Sequence, residues 1–65
     1  MKVYVAKNVH LFPEVDGPGY IIGVYSSMRR AREAAENERP NIEGYLGSGA
    51  KKAYVIRIIE FELDV

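Results

Sequence analysis

The sequence predicts an α+β domain of β-β-α-β order, a three-stranded antiparallel-type sheet with one helix on one face. Three observations carry that prediction. Two β-rich runs flank a stretch rich in Pro and Gly, an Ala-rich run with paired charges occupies the middle, and a long apolar run lies near the C-terminal end. The 65 residues are read as one domain, 1–65. A domain of this size removes only about 60% of its unfolded surface from water, so the core must be thin.

The first strand is read over Lys2–Val9, which alternates loosely and is rich in Val and Tyr. His10–Gly19 breaks the pattern with two prolines and two glycines and reads as a loop. Tyr20–Tyr25 is a second β-rich run, close enough to the first for a long-looped hairpin. Ser26 or Ser27 then offers a hydroxyl cap to a helix from Met28 to about Glu38. Met28, Ala31, Ala34 and Ala35 form a narrow stripe of small side chains suited to close packing on a sheet. Arg29/Glu33 and Arg32/Glu36 stand at i,i+4 on the wet side. Pro40 is expected to stop this helix. Residues 41–51, with Gly44, Gly47 and Gly49, read as a loop, and Lys52–Leu63 as the last strand. A right-handed crossover through the helix places the first strand between the other two, giving sheet order 2-1-3, a split β-α-β unit.

One helix cannot cover both faces of such a sheet. In the last strand Tyr54, Ile56 and Ile58 point one way, and Val55, Arg57, Ile59 and Phe61 the other. Placing Val3, Val5, Ile22 and Val24 with the first set beneath the helix leaves Tyr4, Tyr25, Val55, Ile59 and Phe61 around Arg57 on the open face. A one-residue bulge would exchange the sets. Either register leaves an apolar face without a covering element, the mark of a contact surface for a homo-oligomer or a protein partner. The competing reading folds the segments 10–19 and 41–51 over it.

Composition excludes several classes. There is no Cys, hence no disulfide and no thiolate metal site. Nine basic and nine acidic residues cancel, which disfavours general nucleic-acid binding. No run reaches the roughly 18–20 apolar residues of a membrane span, so no membrane association is expected. The opening Met1-Lys2-Val3-Tyr4-Val5 lacks an apolar signal region, and the expected location is cytoplasmic.

The charges are nevertheless sorted. Arg29, Arg30 and Arg32 cluster at the helix start, where the macrodipole disfavours cations. With Ser26, Ser27, Lys51 and Lys52 they form a candidate site for an anion or a protein partner. The bland alternative is a solvated face balanced by Glu33 and Glu36. Gly44–Lys51 has the glycine spacing of a phosphate loop, but Ala50 stands where its lysine belongs and a strand follows it. One His, at position 10, and no Cys exclude nucleophilic triads and His-rich metal clusters. Glu60 and Glu62, about 7 Å apart on one strand face, read as a solvated strand end. No enzymatic activity, cofactor or metal is expected.

Lys2-Val-Tyr-Val5, Ile22-Gly-Val-Tyr-Ser-Ser27, the Ala-rich helix and Ile59-Glu-Phe-Glu-Leu-Asp64 together resemble a group of small bacterial and bacteriophage domains of unknown function. The likeness spans nearly the whole chain and brings no functional residues with it. In size and element order the chain is also similar to small phage-encoded inhibitors of host RNA polymerase, a likeness of fold alone. The expected function is therefore a non-enzymatic interaction protein, an inhibitor or accessory factor of phage type. It would self-associate through the open sheet face and bind a protein partner. One alternative is a homo-oligomeric module holding an anionic small molecule, such as a nucleotide, between Arg29, Arg30 and the Lys51 loop. Another is single-stranded nucleic-acid binding on Tyr4, Tyr25 and Phe61 with Arg57, which the zero net charge ranks last.

Overall fold

The computed structural model describes residues 1–64. Strand β1 (Lys2–His10) is followed by a one-turn helix α1 (Pro13–Asp16), strand β2 (Tyr20–Tyr25), helix α2 (Met28–Leu46), a 3₁₀ turn at Ala50–Lys52 and strand β3 (Tyr54–Glu62). The sheet order is β2-β1-β3 with both pairings antiparallel, so the fold is α+β with the anticipated topology.

The register decides which face the helix covers. Tyr4, Ala6, Asn8 and His10 of β1 stand opposite Glu60, Ile58, Ile56 and Tyr54 of β3. Ala6, Asn8, His10 and Tyr54 are buried there, and the Tyr54 hydroxyl meets Arg39 and Glu43 of α2. The helix therefore lies over the even-numbered face of β1. Tyr54, Ile56 and Ile58 face it as anticipated, but Val3, Val5 and Val24 do not. They share the outer face with Phe61 and Ile59. The reason is chemical: the inner face of β1 carries Asn8 and His10, so it looks the less apolar of the two and a rule of apolar residues inward selects the wrong set. A bulge in the β1/β2 pairing falls where the partners step from Ala6↔Gly23 to Lys7↔Ile21, leaving Ile22 as the extra residue.

Helix α2 begins as the sequence implies, with the Ser27 side chain accepting from the Arg30 amide at 3.2 Å. Ala31, Ala35 and Ile42 are its buried residues, and the small alanines bring the helix axis close to Ala6. It does not stop at Glu38. It runs through Pro40 to Leu46 and is closed by Gly47, whose φ of 75° suits a glycine and whose N–H bonds the Glu43 carbonyl. Pro40 removes the amide that would bond the Glu36 carbonyl. Anchors on either side of it offset that loss: Arg39 donates to the Tyr54 hydroxyl at 3.1 Å, Tyr54 donates to Glu43 at 2.7 Å, and Ile42 is buried. The segment 41–51 is thus mostly helix and turn, and Lys52 belongs to the turn, not to β3. The segment 10–19 also differs from a simple loop, since His10 completes β1 and Pro13 opens α1.

Candidate interaction surface

Among the described residues no element covers the outer face of the sheet. Both segments that could have folded over it belong to the helix side: 41–46 is the end of α2, and Gly17 accepts from the His10 ring on the inner face. The exposed face is built in cross-strand rows. Val3 stands beside Phe61; Val24, Val5 and Ile59 form a row across all three strands; Ile21, Lys7 and Arg57 form the next; Val9 and Val55 close it. Ile21 and Val24 are 63% and 60% exposed, and Phe61 49%. Eight aliphatic or aromatic residues thus present a continuous surface, interrupted only by two cations that oppose each other in register. Like charges in that position repel, and no acid from the three strands shares their face.

Of the contact residues anticipated from sequence, Val55, Arg57, Ile59 and Phe61 lie together on this face. Tyr4 and Tyr25 do not: they oppose each other on the helix side, for the register reason given above. Phe61 is therefore the single aromatic of the face, and the base-stacking trio Tyr4, Tyr25 and Phe61 is not assembled. Val3, Val5, Val9, Ile21 and Val24 also lie on this face, where sequence reasoning did not place them.

The basic residues separate into two groups. Arg29 and Arg30 occupy the first turn of α2, whereas Lys51 and Lys52 line a depression with Glu43 and Gly47 at its other end. A helix of 19 residues spans about 28 Å, so one small anion cannot touch both. At the helix start Ser27 already uses the Arg30 amide, Arg29 pairs with Glu33 at 3.1 Å, and Glu33 shares a cleft with Ser27, Arg29 and Arg30. That carboxylate repels an anion from the place where Ser26, Ser27 and the arginines were expected to hold one. Arg32 is exposed, and Glu36 pairs with Arg39 at 3.0 Å rather than with Arg32.

The acidic C-terminal end is held by the N-terminus. Lys2 meets Glu60 at 3.6 Å and the terminal ammonium meets Glu62 at 3.3 Å, all well exposed. These are strand-end ion pairs of small energetic consequence. No group of three or more His, Cys, Asp or Glu suited to a metal occurs among the described residues, and no helix among them is long and apolar enough to cross a membrane. No protein-family model, curated protein sequence or solved structure matches the chain.

Proposed function

We propose that this chain is a non-enzymatic interaction module that self-associates by packing the outer face of its sheet against a second copy. The uncovered Val24–Val5–Ile59 row and its apolar neighbours carry the proposal. The thin core supports it. The buried apolar residues are Ala6, Ala31, Ala35, Ile42, Ala50 and Tyr54, four of them alanines, and there is no disulfide to compensate. A second copy would supply the missing burial. Three strands of up to nine residues present about 14 Å by 30 Å, roughly 400 Å² per copy in projection. Two such faces fall at the low end of specific interfaces, which argues for a reversible dimer of moderate affinity.

Packing with the Val24–Val5–Ile59 row on the two-fold axis brings Lys7 and Arg57 of one copy over Val3 and Phe61 of the other. This separates the cations and gives Arg57 an aromatic face. Sedimentation velocity over a concentration series tests the reading. The expected result is a monomer–dimer equilibrium in the native chain, and a monomer at every concentration in Val24→Lys/Ile59→Lys with unchanged circular dichroism. A native chain that sediments as a 7.3 kDa monomer throughout overturns it.

Lys7 and Arg57 favour a second, heterotypic use of the same face, in which a protein partner brings carboxylates to the two cations. Lys7→Ala/Arg57→Ala should then strengthen self-association, by removing like charges, while weakening capture of an acidic amphipathic peptide.

A further inference from the structure

Strand β3 has one neighbour in the sheet, so one of its edges is unpaired. Which backbone groups lie on that edge follows from the ladder. At its two ends the Leu63 amide donates to the Met1 carbonyl at 2.7 Å and the Leu11 amide to the Ala53 carbonyl at 2.8 Å. Both bonds are in step with the register that sets Lys2 against Glu62 and His10 against Tyr54. In an antiparallel pair, opposed residues that exchange hydrogen bonds alternate with opposed residues that do not. The bonded set is therefore the odd-numbered one, and Val55, Arg57, Ile59 and Phe61 turn their N–H and C=O toward β1. Tyr54, Ile56, Ile58, Glu60 and Glu62 turn theirs outward, and no other element among the described residues supplies a backbone partner for them.

The two edges of the sheet are not alike. Strand β2 is six residues long and its pairing is interrupted by the bulge at Ile22. Strand β3 has nine residues, no Pro or Gly, and an unbroken register along its whole length. Short length, bulges and prolines are the usual protections of an edge, and a long regular one is a template for another strand. The charges of β3 select which strand fits.

We infer that the β3 edge pairs antiparallel with the β3 edge of a second copy, about a two-fold axis through Ile58. In this register Ile58 opposes Ile58, Ile56 opposes Glu60 and Tyr54 opposes Glu62, so the outward N–H and C=O groups of one copy meet those of the other. On the outer face Arg57 opposes Ile59 and Val55 opposes Phe61. Asp64 of each copy arrives at Lys52 of the other, with Lys51 beside it. All three of these residues are exposed, and none forms an ion pair among the described residues. Neighbouring registers fit less well. An axis at Arg57 sets two arginines against each other, and an axis at Ile59 carries Asp64 past Lys52 to Tyr54.

The pairing uses backbone atoms that the face contact leaves free, and it joins two sheets into one with a continuous apolar side. It buries less apolar surface than the face contact, so it follows that contact at higher concentration. The Ile59→Lys substitution sets a cation against Arg57 of the other copy, so the face variant loses the edge contact as well.

The test is amide hydrogen exchange by ¹H–¹⁵N NMR on the full native chain, over a concentration series into the millimolar range. The Ile56, Ile58 and Glu60 amides should exchange freely in the dilute chain and slow by about tenfold once nine-tenths of it is paired. The Val55, Arg57 and Ile59 amides should be protected throughout. Packing of the outer faces alone gives the even-numbered amides no partner, so dimerisation without their protection overturns the edge contact and spares the face contact. Lys52→Asp should weaken the pairing by about three- to tenfold, because symmetry counts the repulsion twice, and adding Asp64→Lys should restore it. Free exchange of Ile56, Ile58 and Glu60 at every concentration, or a charge swap that restores nothing, overturns the inference.

Discussion

Replacing Pro40 by Ala distinguishes a helix that ends before residue 40 from one that passes through it. In the structure position 40 lies inside α2, exposed, with anchored residues on both sides. Alanine there restores the N–H that the Glu36 carbonyl lacks and removes the ring from the preceding turn, an intrinsic gain of up to about 3 kcal/mol in a helix interior. Greater freedom of the unfolded chain subtracts about 0.4–1 kcal/mol. A helix already bent to accommodate the ring recovers only part of the remainder. The expected net stabilisation is about 1–2 kcal/mol, which for a domain of this size raises Tm by about 4–16 °C. Urea and thermal unfolding followed by circular dichroism read it directly. If the helix ended at Glu38 and residue 40 lay in a loop, only the unfolded-state term would act and the variant would be less stable than the native chain. A drop in Tm would therefore refute the continuous helix, because the two arrangements predict opposite signs.

Ile42→Ala should be more damaging than any other truncation in α2, because Ile42 is its one large buried aliphatic residue. A loss of about 2–5 kcal/mol approaches the whole stability of so small a domain, so dispersed NMR signals should collapse. Gly19→Ala should be strongly destabilising although φ at Gly19 is ordinary: a Cβ there would sit 1.7 Å from the Asn8 carbonyl oxygen, a backbone atom that cannot step aside. A cost of about 1–3 kcal/mol or more in urea unfolding is expected, and an unchanged midpoint would contradict the close approach of this segment to β1. The pH dependence is set in part by Tyr20, whose hydroxyl pKa is pushed up from 10.0 to about 12, first by burial and then by its hydrogen bond to Glu38. The folded state binds this proton more tightly, so the stabilisation is fully present below pH 10.0 and is lost as pH rises through about 12. Tyr20→Phe should flatten that alkaline decline, and an identical decline in the variant would show that Tyr20 does not contribute to it. At the acid end the same pair acts through Glu38, held below 4.5 by its bond from Tyr20, so its contribution disappears as pH falls through that lowered value.

Element types and strand order were legible because they rest on local chemistry and one chiral rule. Ser27 marks the helix start by the bond its hydroxyl makes to the Arg30 amide, and the right-handed crossover leaves β1 no place but the centre. What sequence alone did not convey depends on long-range partners. Pro40 reads as a stop unless one knows that Tyr54, 14 residues later in number, anchors Arg39 and Glu43 on either side of it. His10 reads as a loop residue unless Gly17 is placed opposite its Nδ1. The face assignment of β1 failed for the same reason. Asn8 Nδ2 bonds the His10 ring and the ring bonds the Gly17 carbonyl, and a polar pair anchored in this way can be buried while valines face outward.

That inversion sets the layering of the assembly. The inner face of β1 carries polar groups around a cavity, and the outer face carries the aliphatic residues that a small domain would ordinarily use as core. Packing two outer faces together makes a four-layer arrangement of helix, sheet, sheet and helix in which the valines become the common core. The two cavities then open on the outer layers, away from the dimer plane, because Asn8 and His10 point opposite to Val5, Lys7 and Val9 along the same strand.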